Sequence, residues 1–564
     1  MKLIKLVIEN FRGIQGTCEI KFDNSNIIFL IGQNNIGKST FLHAYEYFVS
    51  AKTLAEKEDF FDFSSENTIT ITGVFEKEND DDTDIDLVGT GRSSEPDWIN
   101  KWVDTANGNI VKVKKVWNQI GNTFNKFTWS IEDNDWVTNG FGGLHSKLTK
   151  YTPTPIFINA METEDSLEKK VNKLIQDEFL KKISENEEFE DEYNEAIEKV
   201  KSLQERIIGT DAITEYNGQI NEAFSRIFTD LVLKIEPKGD DKIKLEDAIK
   251  NSHSILVQKD GVDREEAISS HGHGVIRQAL FNFLTFLKRN SNGTRKEYLI
   301  LFEEPELFLH PKIAYKLRES LYELSENSPY QILCATHSPL MIDISKDHSS
   351  LVRVAKENGM VRTYQADSIL FNGNDNERRD RVIMINRFNP HICESFYADK
   401  VILVEGDTET IVYRDLLKRF YPNEEIFVVN TGSKNNIPFF QDVLTHFRVE
   451  HYVIHDVDTR TSIRDGREIT NSAWTLNERI WEKVENANNI KNGLSRRYVH
   501  QQNFEDAHVR LDPSLDFSGK DKPFKAYTFA QSIEQNSNAD CILWLRDMVG
   551  NKEILHDQIY IEQF

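Results

Sequence analysis

Two stretches in the second half of the chain hold acids at spacings that suit a hard cation. Residues 400–410, KVILVEGDTET, read as an apolar strand, a tight glycine turn and the first turn of a helix. Glu405 stands at the strand end and Glu409 follows four residues later, a spacing at which two carboxylates can converge. A strand-like run covers Ile426 to Asn430, and HYVIHDVD, residues 451–458, forms a further apolar strand ending in Asp456 and Asp458. Carboxylates gathered at the carboxyl ends of neighbouring parallel strands make an all-oxygen site for Mg²⁺ or Mn²⁺. Any one of these acids would serve equally as a helix cap or a solvated surface group; four so placed point to a site.

The first half carries a different chemistry. The strand-like run NIIFLI, residues 26–31, leads into GQNNIGKST, residues 32–40, a complete phosphate loop. Gly32 and Gly37 let the backbone turn its N–H groups to phosphate, with Asn34 and Asn35 between them as further nucleotide contacts. Lys38 supplies a point charge, Ser39 a ligand for Mg²⁺, and Thr40 is expected to begin a helix whose positive end faces the phosphates. Far downstream, YLILFEEPE (298–306) places Glu303 and Glu304 at the end of an apolar strand, the first for the Mg²⁺ shell and the second for the attacking water. A third apolar run, QILCATHSP (331–339), ends in His337, either a γ-phosphate sensor or a plain hydrogen-bonded histidine.

The elements that position these groups form an α/β chain. At 564 residues, two to four domains are expected, and 35 Phe argue for filled cores. A formal charge of −24 argues against a protein that coats nucleic acid by bulk electrostatics, though not against one acting through bound cations. Cys18, Cys334, Cys393 and Cys541 have no metal-ligand spacing and suit a reducing, cytoplasmic setting. The start MKLIKLVIENFRG lacks a secretory apolar core, and no run is long enough to span a membrane. Strands are expected over 3–11, 16–22, 67–75 and 110–131. The aspartate-rich run 79–86 lacks calcium-loop spacing and reads as a polar loop. From Leu167 to Ile207, apolar residues at three- and four-residue steps (Leu167, Val171, Leu174, Tyr193, Ile197, Val200, Leu203) describe either a helical arm or surface helices on the head.

The phosphate loop, the strand-end acids and His337 together resemble the ABC-type ATPase head of the structural-maintenance and RecF kind. That resemblance implies that Arg12 of NFRG lies near the nucleotide. It also places SSHGHG, residues 269–274, as the signature loop that touches nucleotide held by a second head, through Ser270, Gly272 and Gly274. Two departures stand out: the loop is not Leu-Ser-Gly-Gly, and Glu303 replaces the usual Asp.

The strand acids after 400 resemble the Toprim fold, and an ABC-type head followed by Toprim resembles the OLD family of nucleases (overcoming lysogenization defect). The likeness implies a head at 1–160 and 231–390, an inserted helical dimerisation region at 161–230 and a Toprim nuclease domain at 391–564. It implies ATP with one divalent ion held through Ser39 and Glu303, and two Mg²⁺ or Mn²⁺ ions on Glu405, Glu409, Asp456, Asp458 and Glu505 (Asp506 as runner-up). Lys522 is expected to steady phosphate charge, with Lys520 and Lys525 as alternatives. Implied partners are DNA, a second copy or a higher homo-oligomer, and either a retron reverse transcriptase with its msDNA/RNA or a helicase; no membrane is implied. Members of the family include anti-phage nucleases of the Gabija and retron-associated kinds. The other reading is a nucleotide-switched scaffold for DNA or a partner, with an inactive or partner-inhibited Toprim domain. Lys434, in the glycine turn at Gly432, either approaches substrate or simply belongs to an ordinary turn. Arg460, Arg464 and Arg467, and separately Arg496 and Arg497, either hold backbone phosphates or lie on a solvated surface.

Overall fold

In the computed structural model the chain folds as two compact units, one of Met1–Ile28 with Ser39–Met341 and one of Phe29–Lys38 with Ile342–Phe564. The structure describes residues 1–22, 25–77, 102–138, 151–175 apart from 162, 164 and 174, 211–226, 230–237, 253–259, 261, 264–290, 297–326, 330–343, 350–365, 390–464, 467–509 and 521–563. The aspartate-rich run 79–86, Leu174, Tyr193, Ile197, Val200, Leu203 and Lys520 lie outside them.

The first unit opens with β1 (Lys2–Glu9), β2 (Thr17–Lys21) and the start of β3 (Ile27–Ile31), followed by α1 (Lys38–Val49). The helix begins at Lys38, two residues before the expected Thr40, so Lys38 and Ser39 belong to its first turn. An antiparallel sheet ordered β2-β1-β4-β5-β6-β7 takes in β4 (Ile69–Glu76), β5 (Ile110–Trp117), β6 (Asn125–Ser130) and β7 (Asp135–Thr138). Its central strands β4 and β5 alternate between buried and half-buried residues, as a sheet with one covered face requires. A second group is parallel: β8 (Thr154–Ile158) pairs with β12 (Tyr298–Glu303), which pairs with β13 (Tyr330–Ala335). Every residue of β13 is buried, which explains the apolar run Ile332 to Ala335; the one polar residue, Gln331, exchanges hydrogen bonds with the Leu3 backbone. Between them in sequence lie α2 (Asp211–Ser225), β9 (Leu231–Pro237), β10 (His253–Lys259), β11 (Glu265–Ala267), α3 (His273–Asn290) and, after β12, α4 (Pro311–Ser325). Residues 165–173 are helical with Leu167 and Val171 fully buried, so this described start of the expected arm packs into a core.

In the second unit β3 pairs in parallel with β14 (Leu351–Glu357), which turns back into β15 (Met360–Gln365). A four-stranded parallel sheet follows, ordered β17-β16-β18-β21, from β16 (Lys400–Val404), β17 (Ile426–Asn430), β18 (Glu450–Asp456) and β21 (Ser495–His500). The intervening elements are α5 (Asp407–Phe420), α6 (Ile437–His446), the hairpin β19 (Thr461–Arg464) and β20 (Arg467–Thr470), and α7 (Ser472–Ile490). After β21 come α8 (Phe504–Val509), α9 (Lys522–Ser532), α10 (Asp540–Val549) and α11 (Gln558–Glu562). Ile402, Val404, Tyr452, Ile454 and Tyr498 face a core shared with Val412, Leu416, Phe529 and Trp544 of α5, α9 and α10. Helix α6 packs on β18 and α7 on β21. A parallel sheet covered by helices leaves its strand ends free to carry side chains.

No described helix is long and apolar enough to cross a membrane. Leu416 is fully buried in the core that seats α5. Leu416→Ala is expected to cost about 2–5 kcal/mol and lower the unfolding midpoint by several degrees. Lys418→Ala, exposed on the same helix, is expected to leave the midpoint unchanged in a thermal melt.

Candidate functional site

The ends of β16 and β18 bring the sequence-predicted acids together. Glu405 follows directly on β16, and Gly406 caps α5, which puts Glu409 in that helix's first turn. Glu405 is fixed by its neighbour strand: its Oε1 accepts the main-chain N–H of Asp456 at 2.8 Å. Asp456 ends β18, and its Oδ1 lies 3.3 Å from Nδ1 of the buried His500 on β21, without an aligned hydrogen bond. Asp458 lies in the following loop at φ +63°, and its Oδ2 accepts from the Lys434 ammonium at 2.7 Å. Glu505, on α8, is ion-paired with Lys522, the first residue of α9.

These carboxylates disturb one another. Burial, then the charges of Asp456 and Glu409, push Glu405 up to about 8, while the N–H of Asp456 and the Lys434 charge pull the other way. Burial with Asp456 and Glu505 raises Glu409 to about 7. Burial with Asp458 and Glu505 raises Asp456 to about 7. Among the described residues no three acid, histidine or cysteine groups stand close enough to form a closed metal cluster. The donor set nonetheless fits a divalent cation: it is made of hard carboxylate oxygens that repel one another, and Asp456 Oδ1 is buried with no hydrogen-bond partner.

The glycine turn was legible as a turn, but Lys434's engagement with Asp458 was not. Arg496 and Arg497 correct the sequence reading. They stand on a strand rather than a helix surface; Arg497 is fully buried and donates to the carbonyls of His556 and Asn477, and Arg496 donates to Ile554. Burial takes Arg497 out of both a DNA contact and a solvated surface, while Arg496 is partly exposed and also pairs with Asp547 at 3.5 Å. Arg460 is exposed, with its guanidinium over the Trp474 ring at 5.8 Å; the side chains of Arg464 and Arg467 lie outside the described residues.

In the first unit, three acids at and just after the end of β12 have three separate tasks. Glu303 accepts from the Ser39 hydroxyl and, at 3.4 Å, from the Ala160 N–H. Glu304, at φ +45°, pairs with His337 Nε2 at 3.1 Å. Glu306, which the motif reading passed over, accepts from the Thr336 hydroxyl and from the N–H groups of His337 and Ser338, within 3.0 Å of each. Its one signal was a third acid in the same short stretch. Buried Arg277 on α3, just after the SSHGHG loop, donates to the carbonyls of Glu304, Leu307, Asn159 and Ala160. Ser270 ends a 3-10 turn, Gly272 follows it, and Gly274 lies in the first turn of α3. Arg12, at φ +52°, pairs with Asp59 at 3.1 Å and stacks near Phe11 and Tyr47.

In the second unit, Lys38 donates to the carbonyls of Gly32 and Gln33, both at 2.7 Å. Gly32, at φ +143°, has no room for a Cβ, which would lie 2.3 Å from the Val354 carbonyl oxygen. Gly37 is also at positive φ, and Asn34 and Asn35 are exposed.

The raised carboxylates give a signed pH dependence. Between about pH 4.5 and the folded values of 7–8, the folded chain binds more protons than the unfolded chain, so these groups favour folding at low pH and lose that contribution as pH rises. In chelator, the melting temperature is expected to fall from pH 5.5 to 8 more steeply for wild type than for Asp456→Asn. Equal slopes would contradict the mutual repulsion.

Two family descriptions match the chain: an AAA ATPase domain over residues 1–342, and the Toprim domain of overcoming-lysogenization-defect-like proteins over residues 396–458. The Old nuclease of Escherichia phage P2 is 24% identical over 82% of this chain and 78% of its own length. The endonuclease GajA of Bacillus cereus strain VD045 is 25% identical over 77% of this chain and 71% of its own. Among solved structures, the SmcHead bound to the C-winged helix domain of ScpA is 12% identical, covering 65% of this chain and 98% of that one at a TM-score of 0.40, too low to carry an argument. The match over residues 1–342 extends across more than half of the 564 residues, and the chain belongs to the AAA ATPase domain family, with an OLD-like Toprim domain following the ATPase domain.

Proposed function

We propose that this chain is an ATP-regulated, divalent-metal-dependent DNA nuclease of the OLD kind, serving in defence against phage. The observation that carries the reading is the gathering of Glu405 and Asp456 at the ends of parallel strands with Glu409 in the helix turn that follows, where burial and then neighbouring carboxylates hold each above the usual carboxylate range. The names of the phage P2 and Bacillus relatives, a nuclease and an endonuclease, support the reaction class.

In this reading Glu405, Glu409, Asp456, Asp458 and Glu505 hold Mg²⁺ or Mn²⁺. Bound there, divalent ions lower the pKa of water and offset charge on the leaving oxygen. The residues themselves set the stage. The Asp456 N–H orients Glu405. Lys522, paired with Glu505 at the start of α9, is placed to share the charge of a scissile phosphate. Carboxylates suit this work because they hold hard cations without competing strongly as nucleophiles. Gly32, Gly37, Lys38 and the exposed Asn34 and Asn35 are the phosphate-loop contacts for ATP, Thr40 following in the same helix. Ser39 with Glu303 holds its cation, Glu304 with His337 faces the water, and Arg12 is the family's further nucleotide contact. Hydrolysis of a phosphodiester is already downhill, so ATP acts as a gate rather than an energy source. Ser270, Gly272 and Gly274 serve nucleotide on a second copy, which makes a homodimer the smallest complete ATPase. DNA is the substrate in this reading, and the family likeness supplies a retron reverse transcriptase or a helicase as the further partner.

A second reading, a nucleotide-switched scaffold with an inert Toprim domain, draws on the absence of a closed three-ligand cluster among the described residues. Purified protein with Mn²⁺ or Mg²⁺ separates the two. The nuclease reading expects cleavage of plasmid or linear DNA, lost by at least about a hundredfold in Glu405→Ala and Asp456→Ala with ATP binding retained. Lys38→Ala is expected to weaken ATP binding, and Glu304→Gln to slow its hydrolysis. Cleavage by both acid variants at the wild-type rate would remove the Toprim acids from the mechanism. Light scattering with a nonhydrolysable ATP analogue is expected to give at least a dimer; a monomer at micromolar concentration, with and without the analogue, would contradict the shared ATP site.

A further inference from the structure

The turn between β17 and α6 carries a lysine into the acidic cluster. Lys434 opens a short 3-10 turn, Lys434–Asn436, and only 5% of its side chain is exposed. Its ammonium donates to Asp458 Oδ2 at 2.7 Å and to the main-chain carbonyl of Asp456. The turn that delivers it is braced. The Thr431 N–H and hydroxyl both donate to the Val404 carbonyl, at 3.0 and 2.9 Å, and the Asn436 amide donates to the Thr431 carbonyl at 2.7 Å. Gly432, at φ +74°, makes the reversal, with its N–H on Asn430 Oδ1 at 2.8 Å.

A buried ammonium is costly unless its charge is met, and here one carboxylate and one carbonyl meet it. We propose that Lys434 is a built-in counter-cation of the acidic cluster, holding Asp458 in the metal-free protein and giving it up when a divalent ion binds. This rests on the metal-site reading above. The lysine's charge also reaches the other acids, opposing the forces that raise Glu405 and Asp456. Lys434 is buried and spends two donors on groups of β18 and its following loop, one of them the carboxylate of Asp458, so its charge is committed to the acidic cluster. Metal affinity is then set by a competition. The entering ion gains Asp458 only by breaking an ion pair and lying near a positive charge.

The test is Mn²⁺ binding, measured by electron paramagnetic resonance and calorimetry on the full chain without DNA. Lys434→Met removes the charge and keeps the stem, and is expected to bind Mn²⁺ about tenfold more tightly than wild type. Lys434→Arg keeps the charge and is expected to bind within threefold of wild type. In an Asp458→Asn background, Lys434→Met is expected to gain less than half of that effect on a logarithmic scale, because the contested ligand is gone. Lys434→Gln, which keeps a donor for Asp458 without the charge, is expected to behave as Lys434→Met and serves if the apolar variant fails to fold. Equal or weaker Mn²⁺ binding by folded Lys434→Met and Lys434→Gln would overturn the proposal. Unchanged metal binding with loss of DNA affinity would overturn it too, and assign the lysine to substrate. If neither wild type nor any variant binds Mn²⁺ while circular dichroism shows all to be folded, the metal-site reading itself fails, and this proposal with it.

Discussion

Burial of carboxylates beside one another at the strand ends is the constraint on which the second unit's chemistry depends. Parallel strands of one sheet end on the same side, so acids placed just after β16 and β18 meet whether or not their charges allow it. The fold tolerates this because β16, β18 and β21 are seated in apolar layers that need nothing from the acids. What remains is a local electrostatic debt, seen in the raised Glu405, Glu409 and Asp456. Lys434 and the Asp456 N–H relieve part of it. A divalent ion would relieve the rest, and charge stored in this way is what a phosphoryl-transfer site requires.

The first unit uses the same geometry with a different division of labour. Glu303, Glu304 and Glu306 leave one strand end within four residues, yet each meets different groups. Glu306 is spent on the backbone of Thr336–Ser338, which fixes the turn bearing His337. Arg277 ties the start of α3 to the carbonyl of Glu304, so the loop at Ser270–Gly274 and the acid facing His337 share one mechanical link.

Much of the arrangement was legible in the sequence where the signal was local. Continuous apolar runs ending in acids mark β12, β16 and β18, because a strand buried on both faces cannot hide its polar residues except at its ends. The phosphate loop was legible because Gly32 has no substitute against the Val354 carbonyl. Contacts between distant segments were not legible. Lys434 reaches Asp458 across 24 residues and His500 stands beside Asp456 across 44, and nothing in composition marks either pairing. Adjacent arginines read as surface charge until the carbonyls of His556 and Ile554 are seen to take their donors. The expected order of ATPase and Toprim domains agrees with the family matches.

The central claim is that the acids after β16 and β18 form a divalent-metal centre. Anomalous diffraction from crystals soaked in Mn²⁺ tests it most directly, with the Asp456→Asn variant soaked alongside. The account predicts a strong peak bounded by the carboxylates of Glu405 and Asp456 in wild type, and its loss in the variant. A wild-type crystal with no peak among these acids, or one whose peak survives the substitution unchanged, would contradict it.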